Sequence, residues 1–104
     1  MKNKFGVVLD RNHYGPSIVG DEGRCYICGR SVGLERHEVY HGAFRDKSKQ
    51  LGCWVQLCNR CHDELHHKGG GLDAELKGKV QVIAMSYYDW TEDDFRREFG
   101  KSYT

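Results

Sequence analysis

The sequence predicts a small α+β domain of β-β-α order, stapled by zinc and extended at its C-terminal end by helices. Three observations carry that expectation. Two knuckles, Cys25-Tyr26-Ile27-Cys28 and Cys58-Asn59-Arg60-Cys61, supply four thiols in two pairs, the donor set of a tetrahedral structural zinc with each sulfur about 2.3 Å from the ion. Between them lie two stretches of strand composition, residues 34–40 and 53–57, which make a hairpin across a long, polar and basic connection from Gly42 to Gly52. The second knuckle then opens a helix: His62 and His66 stand four apart, a spacing that puts both imidazoles on one helical face.

The remaining elements follow in order. Residues 1–24 read as an appended arm, in which Phe5, Val7 and Leu9 alternate as a short strand would and Gly15-Pro16 and Gly20-Asp21-Glu22-Gly23 are turn chemistry. Residues 25–68 are the zinc-bound core. Gly69-Gly70-Gly71 ends the histidine helix as a hinge or loop. Over residues 73–88, Leu76, Val80, Ile83 and Tyr87 recur with helical spacing, although the alternation of Val80, Val82 and Ala84 also suits a strand. Thr91 before Glu92, Asp93 and Asp94 starts a last helix, Phe95 and Phe99 mark its buried face, and Gly100 stops it. This tail, residues 73–104, is expected to cover the apolar side of the zinc module.

With 104 residues the chain supports one domain. Only 38% of it is hydrophobic, a lean core for which a bound metal contributing on the order of 10 kcal/mol matters. Loss of zinc is therefore expected to unfold it. Five cysteines cannot close into disulfides, and Cys53, the odd one, reads as a small apolar side chain in a strand. A thioredoxin-like redox motif is the weaker reading of either pair. No run approaches the ~20 apolar residues of a membrane span, and residues 1–6 lack the apolar stretch of a signal peptide. The expectation is a cytoplasmic protein without a membrane partner. A net charge of +1 neither demands nor excludes nucleic acid, because a local patch does what the average hides.

His37, His62 and His66 are candidates to converge on a second divalent ion, where neutral imidazoles leave positions for water and substrate. These residues sit within a longer pattern: Cys25-x-x-Cys28, Arg36-His37-Glu38-Val39-Tyr40-His41-Gly42, Arg45-x-x-Ser48, and Gly52-x-x-Val55-x-Leu57-Cys58-x-x-Cys61-His62 with His66. The pattern resembles the HNH, or ββα-metal, endonuclease family, in particular its small phage-type members, over residues 25–67. A looser likeness continues to Phe95-x-x-x-Phe99-Gly100-Lys101-x-Tyr103.

The resemblance implies a DNA endonuclease that nicks or cuts with Mg2+ or another divalent ion, acting in the host cytoplasm if phage-encoded. It implies His37, His62 and His66 as ligands of the catalytic ion, Glu38 as general base, and zinc on Cys25, Cys28, Cys58 and Cys61. Glutamate stands where the family has histidine, and with an ordinary pKa near 4.3 it is a weak base unless its surroundings raise that value. Alternatively Glu38 binds the ion while His37 or His41 is the base. Cys53 replaces the family's middle asparagine, whose amide ties the long connection to the hairpin, and a thiol does not copy both hydrogen bonds. DNA affinity is expected from Arg36, Arg45, Lys47 and Lys49, with Arg60 and Lys68 helping, through phosphate contact. Two rivals stay open: an HNH-fold zinc module that grips DNA or a protein without cutting, and a regulator that recognises a protein through Trp54, Trp90 and the C-terminal aromatics. A homodimer is left open as well.

Overall fold

A computed structural model describes residues 2–20, 22–68 and 70–104; the expected turn at Asp21 and the hinge residue Gly69 lie outside them. The chain is mixed α+β. Strands β1 (Leu34–Glu38) and β2 (Trp54–Cys58) pair antiparallel, with Leu34 opposite Cys58 and His37 opposite Val55. Between them run a 3-10 turn, Gly42–Phe44, and helix α1 (Arg45–Gln50). Helices α2 (Asn59–Lys68), α3 (Gly70–Tyr88) and α4 (Glu92–Phe99) follow.

Several expectations need correcting. The connection between the strands is helical rather than a loop. A polar hexapeptide shows no apolar period, and α1 is stabilised from outside by Ser48. Fully buried, its hydroxyl donates to the Tyr40 carbonyl at 3.0 Å and accepts from the Tyr40 amide at 2.9 Å. Phe5, Val7 and Leu9 do face inward, yet the segment makes only an isolated bridge between Lys2 and Val8. Gly6, at φ +79, turns the chain there. Cys53 is buried but precedes β2, and β1 stops two residues short of Tyr40. Gly70 and Gly71 open α3 instead of forming a hinge. Along α3 the buried face is Leu76, Val80 and Ala84, leaving Ile83 half-buried and Tyr87 exposed.

The tail does pack over the hairpin module. Tyr40 packs edge-on against Phe95 and tilted against Phe99, with centroids 5.3 and 4.5 Å away, and its hydroxyl donates to the Lys77 carbonyl at 2.6 Å. After Trp54, these aromatics are the largest fully buried side chains among the described residues. Helix α4 is delimited as its residues require. Thr91 and Asp94 form a reciprocal capping box, and Gly100 ends the helix at φ +84 against the Phe44 ring.

The arm is tied to this frame rather than trailing from it. Gly15 donates to the Lys49 carbonyl at 2.8 Å and Ile18 to the Gly52 carbonyl at 3.0 Å. The Trp54 indole donates to the Gly15 carbonyl at 2.8 Å. Gly52 sits at φ +74 where a Cβ would fall 2.2 Å from the Pro16 carbonyl oxygen, so the arm can approach only because no side chain is there. No helix among the described residues is long and apolar enough to cross a membrane.

Candidate metal centres and the histidine cleft

Hairpin pairing and helix α2 bring the four cysteines together: Cys25, Cys28, Cys58 and Cys61 have sulfurs within 4.8 Å of one another. In each knuckle the fourth residue's amide donates to the first residue's sulfur, Cys28 to Cys25 and Cys61 to Cys58, both at 3.5 Å. Such amides stabilise thiolate. Burial alone would raise Cys25, but the surrounding amides outweigh it and bring its thiol down to about 6. Cys61 moves the other way, pushed up by burial and by its three sulfur neighbours. Four thiolates cannot share this space without a cation, and a dication removes the conflict. The cluster could hold a structural ion such as zinc. Cys53 is separate from it, and burial pushes its thiol up to about 12, as an inert packing residue requires.

The second cluster comes from strand alternation and helical period. In β1, Glu35 and His37 point toward α2 while Arg36 and Glu38 point to the opposite face. His62 and His66, one turn apart on α2, meet His37 with ring centroids 5.2 and 6.0 Å away, and the three rings offer nitrogens within 4.8 Å of one another. His37 is 4% exposed and its Nε2 is buried with no hydrogen-bond partner. A buried orphan of this kind calls for an explanation, and a role as metal ligand is one. Burial, reinforced by the neighbouring imidazoles, pushes His37 down to about 4. It is therefore neutral at pH 7, the form that ligates a metal. The three rings fit a divalent ion.

Around them opens a cleft of about 390 Å3 lined by Tyr14, Arg36, His37, Glu38, His41, Gly42, Arg45, His62 and His66. Of the six cations expected to meet DNA, Arg36 and Arg45 are among the residues lining it, and Lys47, Lys49 and Arg60 are not. Lys47 pairs instead with Glu98 at 3.2 Å, and Lys49 lies 4.8 Å from the Tyr14 ring centroid. Arg36 stacks over Tyr14 at 4.2 Å and pairs with Asp10 at 3.2 Å. Glu38 borders the cleft but stands outside the three-nitrogen cluster, and Arg45 Nε donates to its Oε1 at 2.6 Å. Trp54, expected on a recognition surface, is 1% exposed and belongs to the core.

Sequence reasoning missed three residues. Glu35 Oε1 lies 3.3 Å from His62 Nδ1, which leaves Nε2 of that ring for an ion. Its position two before His37, on the same strand face, was the available signal. Asp73 Oδ1 lies 3.6 Å from His41 Nε2, and Tyr14 brings the arm to the cleft wall. Neither carries a local signal, since both arrive through long-range packing. Comparison of the chain with protein-family models, with curated proteins and with solved structures gives no match. The functional reading therefore rests on the site's own chemistry.

Proposed function

We propose that the protein is a metal-dependent DNA endonuclease of the ββα-metal type, hydrolysing phosphodiester bonds in the histidine cleft. One observation carries this reading: three imidazoles converge from β1 and α2, one with a buried and unpartnered nitrogen, at the floor of an open cleft bordered by two arginines. His37, His62 and His66 would hold the ion, and a divalent cation there supplies charge stabilisation to the phosphate and the leaving 3′ oxygen. Zinc on the four cysteines would fix the scaffold. Nitrogen donors suit Ni2+, Zn2+ or another transition ion better than Mg2+, whose preference is for oxygen.

His41 is the proton acceptor that the geometry favours. It borders the cleft, with its ring centroid 6.3 Å from that of His37, and Asp73 faces its Nε2. A carboxylate on one ring nitrogen orients the ring and offers the other to the attacking water. Arg36 and Arg45 supply phosphate contacts that carry no sequence information.

Incubating the zinc-loaded protein with supercoiled plasmid and Mg2+, Mn2+, Ni2+ or added Zn2+ tests the reading. Nicking or linearisation is expected with at least one transition ion. A second reading, a DNA-binding module that does not cut, is favoured by the engagement of Glu38 with Arg45. Retarded plasmid without cleavage under every ion would select it.

A further inference from the structure

Glu38 is a carboxylate largely withdrawn from water, its side chain 8% exposed, and Arg45 lies against it. The Arg45 side chain is 63% exposed. Here the acid is fixed and the base projects. Arg45 is held through Nε, which donates to Glu38 Oε1 at 2.6 Å, and neither Nη1 nor Nη2 has a partner among the described residues. A guanidinium fixed through Nε still presents donors that match a phosphate.

Both ends of that side chain are anchored. Arg45 begins α1, the helix that buried Ser48 ties to Tyr40, so its backbone is set; Glu38 sets its head. The pair borders the cleft that His37, His62 and His66 floor, with Tyr14 and Arg36 on the same wall. Burial, and then the nearby Glu38 charge, raise the Tyr14 hydroxyl above its ordinary range.

We infer that Glu38 is a positioning residue that holds Arg45, and that the free Nη groups of Arg45 receive the non-bridging oxygens of a nucleic-acid phosphodiester lying over the histidines. The inference rests on the nuclease reading for the reaction at this site, while the phosphate receptor itself stands as a binding function. Glu38 acts only through Arg45 and takes no proton from water.

Zinc-loaded wild type, Arg45→Ala, Arg45→Lys, Glu38→Gln and the Glu38→Gln/Arg45→Ala double variant are compared in plasmid cleavage and in the salt dependence of binding to a short duplex by fluorescence anisotropy. Thermal melting accompanies each. Arg45→Ala is expected to slow cleavage about a hundredfold, as loss of one oxyanion donor does, and to lower the salt slope by about one phosphate contact. Arg45→Lys keeps the charge without the Nε anchor and should lose about tenfold in kcat with little change in KM. Glu38→Gln, which retains the shape of the side chain, should lose about tenfold. The double variant should match Arg45→Ala within about threefold, because a residue acting through another adds nothing once that other is gone. A double variant slower than Arg45→Ala by the full Glu38→Gln factor gives Glu38 its own role and overturns the inference. Absence of cleavage by wild type under every ion sinks the nuclease reading alone, and the anisotropy arm then decides. Equal salt slopes for Arg45→Ala and wild type, or no duplex binding at all, would overturn the phosphate receptor, whereas non-additive losses on Glu38 and Arg45 support it.

Discussion

The sulfur cluster and the imidazole cluster lie on the same hairpin and the same helix, yet they are built to opposite specifications. Three of the four cysteines are buried, and amides of the knuckles themselves point at sulfur. The histidines grade outward instead: His37 is buried, His62 half-buried and His66 exposed, at the floor of a cleft of about 390 Å3. A tetrahedral set closed on all sides leaves no position for substrate, whereas three nitrogens facing a cleft leave room for water and a phosphate. The difference separates a site that makes the fold from a site the fold presents.

The strongest way to break that division is to attack the sulfur cluster. Cys58→Ser, or stripping metal with a chelator, should cost on the order of 10 kcal/mol and abolish cooperative folding, read as loss of far-UV circular dichroism and of a thermal transition. A variant that stays folded and loses only cleavage would move the cysteines to the working side of the comparison. His62→Ala should do the reverse. With its ring 21% exposed on the surface of α2, its removal should slow plasmid cleavage by at least about a thousandfold while leaving the melting temperature and the zinc content expected of the four cysteines unchanged. Unfolding by His62→Ala would make both clusters structural.

His41 sharpens the comparison within the cleft itself. His41→Ala should slow cleavage about a hundredfold, in the range that a general base contributes, without weakening uptake of the catalytic ion as measured by titration calorimetry. Asp73→Asn, which removes the charge facing His41 Nε2 at 3.6 Å, should cost about tenfold in the same assay. Weakened ion uptake in His41→Ala would make it a fourth ligand instead.

The two clusters were also unequally legible. Both clusters are written in local spacing: two residues between thiols, three between imidazoles on a helix, a strand whose period aims His37 at that helix. What surrounds the histidines is not written locally. Tyr14 reaches the cleft because Gly15 and Gly52 let the arm lie against the α1–β2 connection, and Asp73 reaches His41 from the first turn of α3. Helix α1 was invisible for a related reason. Its single buried residue is Ser48, so tertiary hydrogen bonds rather than an apolar stripe select the helix. At the chain's far end the reverse holds, and the Thr91 to Gly100 helix was readable because cap, acidic first turn and glycine stop are all local.

Glu35 offers the finest test of the open site's construction. Its carboxylate sits 3.3 Å from His62 Nδ1 and is about half exposed to water, so any contribution to fold stability is screened to a small value. Its effect belongs to metal affinity, through the orientation and basicity of the ring it touches. Glu35→Gln keeps a group able to hydrogen-bond His62 but removes the charge, and should weaken binding of the catalytic ion by about tenfold with no change in melting temperature. Supplying excess ion should then recover the cleavage rate, because the residue acts before the reaction and not in it. A rate loss that saturating metal does not repair would mean that Glu35 reaches the substrate, and the imidazole site would extend to a residue of β1 that the cleft's lining leaves out.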